Sequence, residues 1–473
     1  MRILYYYWCQ FDDDTQPGGG VKVYLRNIIN DLKNRKDVEI YTLNSGVDYD
    51  LSGKLHIEKI PAKDNIYRFK IVNSPIASPS KCAFFENEKY LTDEFLKNLL
   101  RDFLKKQGPF DVVHIQSIEG LGIKCLELKE EFPDTKLILS IHNYHYFCPQ
   151  VNLWKWNKEN CTDFHDGKDC CTCMGRFPSS DKIKKFYLFS SCMKKWGIHV
   201  DINQLKNKAR SVLGYSKSAV IDDKVASAMP HYDFSLFKKF RETNAAYINR
   251  YADAVLCVSK RVKWIAEKMG VDPEILHTSY IGSDFTLHAK EKPAYPIDSE
   301  YFKIAYMGYM RRDKGLYFLI DALEKLSIDY AKKIDFVVAA RYEDQALLGR
   351  IKGLANRFHK IETLNGYTRK DIVNITNHLN LGVVPIMWED CLPQVAIEFK
   401  AMGIPVLGSK LGGVAELSSA AEFSFEAGNI KDFNDHLMNL MDHRDLLSKY
   451  YEKHLKLRTM KEHCDELVSY YTE

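Results

Sequence analysis

One stretch, Leu381 to Leu417, constrains the fold more than any other. An apolar run from Leu381 to Met387 stops at Trp388-Glu389-Asp390. Pro393 is suited to open a helix, because its missing N–H would go unpaired there anyway. Val395, Phe399 and Met402 then recur at helical spacing, with Ile397 and Ala401 beside them. Gly403 ends the helix, and Ile404-Pro405-Val406-Leu407 reads as the next buried strand. Strand, loop, helix, strand is the unit of a parallel sheet, whose ligands sit beyond the strand C-termini.

Two carboxylates frame this helix: Asp390 in the loop and Glu398 inside the helix, with seven residues between them. The backbone N–H groups of Gln394 and Val395 emerge from the helix N-terminus. Unpaired amides and the helix dipole favour an anion such as a diphosphate there. A carboxylate one turn down suits ribose hydroxyls, and one in the loop suits hexose hydroxyls. Taken singly, a solvated Glu398 and a helix-capping Asp390 are the simpler readings.

A second unit of the same kind precedes it. Tyr301 to Met307 reads as a strand, Gly308 to Gly315 as the turn GYMRRDKG, and Leu316, Leu319, Ile320 and Leu323 as an apolar helical face. Lys314 at a helix start is unfavourable by dipole logic unless an anion lies between. Asp335 to Ala340 is the next strand.

The N-terminal half repeats the alternation. Met1 to Trp8 is an aromatic strand, Cys9 to Gln16 a polar loop, and Pro17-Gly18-Gly19-Gly20 a glycine turn before the helical stripe Val21, Tyr24, Leu25, Ile28 and Leu32. Glycine at a helix N-terminus lets a ligand approach the backbone. The next strand, Val38 to Tyr41, ends Thr42-Leu43-Asn44-Ser45 without an acid. The glycines are contiguous too, so the dinucleotide-binding fingerprint is absent. Asp111 to Ile115, Lys136 to Ile141 and Asp253 to Ser259 read as further strands, with His142-Asn143 at the end of the second. Gly46 to Lys106 is less regular, with a helix-like stretch near Leu91 to Leu104.

A chain of 473 residues, 45% hydrophobic and 27% charged, suggests two or three globular domains. A net charge of +4 gives no argument for nucleic acid. No apolar run is long enough to span a bilayer and Met1 leads straight into a strand, so a cytoplasmic location is expected. Five of the twelve cysteines fall between Cys148 and Cys173. Cys170-x-x-Cys173 has metal-ligand spacing, and Cys148 and Cys161 complete a four-thiolate set for structural zinc, with disulfides or free thiols as the alternatives. Lys182 to Trp196 mixes lysines with aromatics and precedes the basic run 205–213. A surface helix with its aromatics turned inward is the simpler reading, and contact with anionic lipid the other.

The 390–398 carboxylate pair, the strand after it and the Gly412-Gly413 turn with Glu416 together resemble retaining glycosyltransferase family 4, of glycosyl transferases group 1. Asp111-Val112-Val113-His114, the strand ending in His142, Tyr280 to Asp284 and the Lys314 turn are similar to motifs of the same family. The departures are Asp390 for Glu, Leu392-Pro393 for Phe-Gly, Asn143 for Asp, Ile281 for Asn, Ala340-Arg341 for Gly-x-Gly, and Tyr309 where an Arg is usual.

The resemblance implies the α/β GT-B architecture: two doubly wound Rossmann-like domains facing a cleft. They would be residues 1–289, with a cysteine-rich insertion at about 148–180, and 290–449. Residues 450–473 would form a helix crossing back. It implies a hexose-type sugar moved with retention from a nucleotide diphosphate donor to a glycan or lipid-linked acceptor, without a catalytic cofactor or metal. Lys314, His142 and Asp390 would be catalytic. Gly19, Gly20, Gly308, Arg312, Lys314, Asp390, Leu392, Pro393, Gln394, Val395 and Glu398 would hold the donor, Glu398 at the ribose. Cell-surface polysaccharide or glycolipid assembly and peripheral contact with the inner membrane face follow from the same resemblance. A sugar-nucleotide epimerase or hydrolase, or a non-catalytic nucleotide-sugar-binding partner, is the alternative.

Overall fold

A computed structural model describes residues 1–473 except 14, 15, 17, 80–83, 85, 86, 174–179, 196–232, 291 and 295–298. The first lobe is built on β1 (Arg2–Tyr6), β2 (Glu39–Asp48), β3 (His56–Lys63), β4 (Ile66–Val72), β5 (Val112–Ile115) and β6 (Lys136–Ile141). A separate small hairpin, β7 (Trp154–Lys155) and β8 (Glu159–Asn160), follows, before β9 (Ala254–Cys257) and β10 (Leu276–Thr278) complete the sheet. The strand order is β10-β9-β6-β5-β1-β2-β4-β3, and only the β3–β4 pair is antiparallel. Ile3, Leu4, Tyr5 and Tyr6 are all buried. Such a run, without alternation, is what a parallel strand covered on both faces requires.

The second lobe holds β11 (Phe302–Gly308), β12 (Ile334–Ala340), β13 (Lys360–Asn365), β14 (Leu381–Val384), β15 (Val406–Ser409) and β16 (Ser424–Phe425). All pairs are parallel, in the order β13-β12-β11-β14-β15-β16. This is the doubly wound arrangement whose strand order reverses beside the first strand, here between β11 and β14, where the ligand crevice opens. The helix Leu316–Glu324 buries the expected Leu316, Leu319, Ile320 and Leu323 completely.

Several expected elements differ in extent. β2 continues to Asp48 because β4 pairs with it well past Tyr41. Pro393 is the N-cap rather than the first helical residue, and the following strand is Val406–Ser409 rather than Ile404 to Leu407. The two-residue strand β16 closes the far edge of the sheet against β15. Tyr450 to Tyr471 is not one helix. The chain between a helical turn, Arg444–Tyr451, and the helix Met460–Thr472 is extended, since the Leu455 amide donates to the Leu417 carbonyl and the Ser419 amide to the Lys453 carbonyl. Thr459 and Glu462 then form a capping box.

The helix Met460–Thr472 lies on the first-lobe helix Gly19–Leu32. The Tyr471 hydroxyl sits 2.9 Å from the Tyr5 hydroxyl and 2.7 Å from His114 Nδ1, and His463 Nε2 sits 2.6 Å from the Tyr24 hydroxyl. The chain therefore ends against the lobe in which it began.

Gly315 joins the two halves of the second-lobe crevice. Its φ is +77°, and a Cβ there would lie 1.6 Å from the Pro385 carbonyl oxygen. The turn after β11 thus touches the loop after β14 in a way that only glycine permits. Gly315→Ala is expected to lower stability by about 2–5 kcal/mol, from left-handed strain plus overpacking. Urea unfolding checks this, and an unchanged midpoint would refute the contact.

Candidate functional site

The ends of the two sheets enclose a cavity of about 360 Å³. The first lobe contributes Gly20 and Tyr24 from its first helix, His142 from the end of β6, and Ile281. The second contributes Gly308, Tyr309 and Lys314 after β11, Tyr367 after β13, and Trp388, Asp390, Leu392, Pro393, Gln394, Val395 and Glu398 after β14.

Lys314 Nζ lies 2.6 Å from Asp390 Oδ2 and 4.9 Å from the centre of the Trp388 ring. Asp390 is therefore committed to the lysine and does not cap the helix. The helix Gln394–Ala401 has no side-chain cap and no acid in its first turn, so its leading amides are available to an anion. Gly413 N donates to the Asp390 carbonyl at 2.8 Å, and a Cβ on Gly412 (φ +57°) would come within 2.1 Å of that oxygen. The Gly-Gly turn is thus the brace under the Asp390 loop.

Glu398 is half-buried, and its Oε2 accepts no hydrogen bond among the described residues. Burial pushes its carboxyl up to about 7, against a weaker pull from Arg369. An acceptor atom without a donor at a cavity wall is suited to a ligand hydroxyl. His142 Nε2 faces Gln116 Oε1 at 2.8 Å, so with that amide orientation Nε2 carries the proton. Burial pushes the imidazole down to about 3, so it is neutral at pH 7 and offers hydrogen bonds rather than charge. The Gln394 side chain reaches the Gly20 carbonyl at 3.3 Å, bringing the glycine turn of one lobe against the helix of the other.

Two expected donor residues are not part of the cavity wall. Gly19 lies just outside it, with φ +58°. Arg312 turns back over the Tyr317 ring at 4.4 Å, and Arg311 pairs with buried Asp313, so neither arginine replaces the cation missing at Tyr309. Among the described residues of the cavity wall, Lys314 is the one cationic side chain.

Residues that periodicity did not single out join the lobes. Glu389, 3% exposed, accepts from Arg261 Nε at 2.9 Å and Nη2 at 2.6 Å, from Asn160 Nδ2 at 3.0 Å and from Gly412 N at 3.1 Å. Burial alone would raise its pKa, but these donors outweigh it and hold the carboxyl below its ordinary value. Glu416 accepts from the Lys260 and Arg261 amides at 3.0 and 2.7 Å and from the Tyr280 hydroxyl at 2.6 Å. A signal for these contacts lies in the sequence: Lys260-Arg261 directly after the cap Ser259 is as unfavourable at a helix start as Lys314.

Cys148, Cys161, Cys170 and Cys173 line one small cavity with Arg241. Arg241 is buried and donates to Cys170 Sγ at 3.1 Å, while its Nε has no hydrogen-bond partner among the described residues. Val151, Leu153, Trp156, Asn157, His165 and Asp166 all have positive φ, so this insertion is backbone-strained. The donor types suit a thiophilic ion, but the spacing does not close a cage. Among the described residues, the one group of His, Cys, Asp and Glu whose donor atoms all lie within 4.8 Å of one another is Asp50, His56 and Glu58. No disulfide joins the described cysteines.

In the helix Ser180–Lys195, Tyr187 donates to the Ser78 carbonyl and Ile183 packs inward, while Phe189 is exposed. Trp196 and the basic run 205–213 lie outside the described residues. No helix among the described residues is long and apolar enough to cross a membrane.

Two Rossmann-like lobes facing a cleft, closed by a returning C-terminal helix, define the GT-B fold. Residues 301–443, within the second lobe, match the family described as Glycosyl transferases group 1. Solved structures share the architecture at low identity. HepE of Anabaena in complex with UDP is similar with a TM-score of 0.58 at 13% identity, over 100% of both chains. Sucrose-phosphate synthase from Thermosynechococcus elongatus gives 0.57 at 12%, over 100% of this chain and 98% of that one. An E. coli trehalose-6-phosphate structure bound with UDP-2-fluoro glucose gives 0.55 at 12%, over 100% and 99%. No curated protein sequence matches the chain.

The raised Glu398 carboxyl makes a pH prediction. Between about 4.5 and about 7 the folded chain holds a proton that the unfolded chain has lost, so this group's contribution to stability falls as pH rises through that window. Glu398→Gln lacks that loss. Its melting temperature relative to the parent is expected to climb from pH 4.5 to pH 7.5; parallel curves would contradict the buried carboxyl.

Proposed function

We propose that the chain is a retaining, metal-independent glycosyltransferase that moves a hexose-type sugar from a nucleotide diphosphate donor to an acceptor hydroxyl. One observation carries the reading: a lysine and an uncapped helix N-terminus meet at the switch point of the second sheet, facing a cleft lined by both lobes. In this reading the diphosphate lies on the amides of Gln394 and Val395 and draws Lys314 away from Asp390. Charge builds on the leaving diphosphate in the transition state, and fixed dipoles and an ammonium already in place stabilise it without reorganisation. The freed Asp390 and neutral His142 then take the hexose hydroxyls, and Glu398 the ribose. No residue is assigned as a nucleophile.

The UDP and UDP-2-fluoro glucose bound by similar structures support a nucleotide-sugar donor. A glycan or lipid-linked acceptor, polysaccharide or glycolipid assembly, a cytoplasmic site at the inner membrane face and a division at 1–289, 290–449 and 450–473 belong to the same proposal. Tyr309 in place of an arginine favours one second reading, a nucleotide-sugar-binding partner without turnover.

A thermal-shift panel of nucleotide sugars followed by turnover assays separates the two. The expected result is stabilisation by one donor, lost in Glu398→Ala, with transfer reduced about a hundredfold or more in Lys314→Ala. Binding with neither transfer nor hydrolysis would favour the second reading.

We also infer that Cys148, Cys161, Cys170 and Cys173 draw together around one structural zinc-class ion, with Arg241 offsetting the thiolate charge. Elemental analysis of the purified chain is expected to give about one zinc per chain. Four free thiols without metal, or two disulfides by mass, would refute it.

A further inference from the structure

We propose that Glu389 is a positioning residue: its ion pair with Arg261 holds the lobes closed and, through the adjoining peptide, sets Asp390 against Lys314. The inference rests on the proposed function for its catalytic consequence, but not for its structural one.

Glu389 belongs to the second lobe, and its donors come from three places. Arg261 grips it in a two-pronged fork from the first turn of the first-lobe helix Lys260–Lys268. Asn160 reaches it from β8, directly beside Cys161 of the cysteine cavity. Gly412 N holds it from the turn that also braces the Asp390 carbonyl through Gly413. Both carboxylate oxygens are thereby satisfied in a nearly inaccessible place. Opening the lobes would strip away Arg261 and Asn160 and leave Gly412 N as the carboxylate's one donor among the described residues. Deleting Arg261 in the closed molecule instead leaves a buried charge short of its main partner, which is strongly unfavourable.

A second carboxylate makes the contact directional. Glu416 lies across the leading amides of the same helix, where an acid is favoured, and its oxygen also takes the Tyr280 hydroxyl. The second lobe thus presents two acids, Glu389 and Glu416, to one helix end of the first lobe. Asp390 follows Glu389 immediately, so one peptide links the fork to the 2.6 Å contact with Lys314, and a shift of that peptide bears on both. The diphosphate amides, by contrast, lie on the Gln394–Ala401 helix within the second lobe alone.

Arg261→Gln, Glu389→Gln and the double variant of the full chain test this. Without ligand, hydrogen–deuterium exchange in the loop 385–393 is expected to rise about tenfold in each single variant and no further in the double. With the donor found by the thermal-shift panel, kcat is expected to fall about tenfold or more, while the Kd of the matching nucleoside diphosphate changes less than about threefold. Arg261→Lys keeps the charge and loses the fork. It is expected to be intermediate in both readouts, and it replaces Arg261→Gln if that variant does not fold. Unchanged exchange in the single variants, additive effects in the double, or a Kd weakened as much as kcat would overturn the proposal. If the parent chain turns over no nucleotide sugar, the functional reading falls, and the exchange result alone decides whether the contact sets the loop.

Discussion

The approach of Gly315 to Pro385 is the constraint on which the rest of the site depends. Two loops leave neighbouring strands of a parallel sheet at the point where the winding reverses, and they would normally diverge. Removing one Cβ lets the backbones touch. Lys314 is then carried to Asp390, and the helix that starts at Gln394 is aimed at the same space. The Gly412-Gly413 turn repeats the device on the other side of the Asp390 loop. Three glycines therefore place a cation, an anion and a set of amides within one wall of the cleft.

Charge in that wall is sparse. The Lys314 ammonium is already paired, Glu398 has a buried oxygen without a donor, and His142 is neutral. Under the proposed function such a set would be matched by a ligand that is anionic at one end and rich in hydroxyls at the other. A nucleotide diphosphate sugar has that form. Tyr309 is exposed where the family resemblance would put a second cation, so under the proposed function more of the diphosphate charge would fall to the helix amides.

The second lobe was the more legible in the sequence, because its strands are short apolar runs and its helices carry strong spacing. Leu316, Leu319, Ile320 and Leu323 announced their helix, and Asp390 and Glu398 could be placed from the residues between them. Arg312 could not, since whether an arginine in a turn faces the cleft or stacks on Tyr317 is a matter of rotamer and not of spacing. β2 ran on because a partner strand arrived from later in the chain. The Glu389–Arg261 fork joins residues 128 positions apart: two cations at a helix start hint that an acid faces them, but nothing local says which acid. The cysteine spacing suggests a four-thiolate set; the four thiols line one small cavity, but their donor atoms do not gather within 4.8 Å, a distance that spacing along the chain does not specify.

A crystal structure with the nucleoside diphosphate of the preferred donor tests the central claim most directly. The account predicts diphosphate oxygens about 3 Å from the amides of Gln394 and Val395 and from Lys314 Nζ, with Asp390 released from the lysine. A nucleotide lodged away from that helix end, or a diphosphate held by groups that leave Lys314 on Asp390, would contradict it.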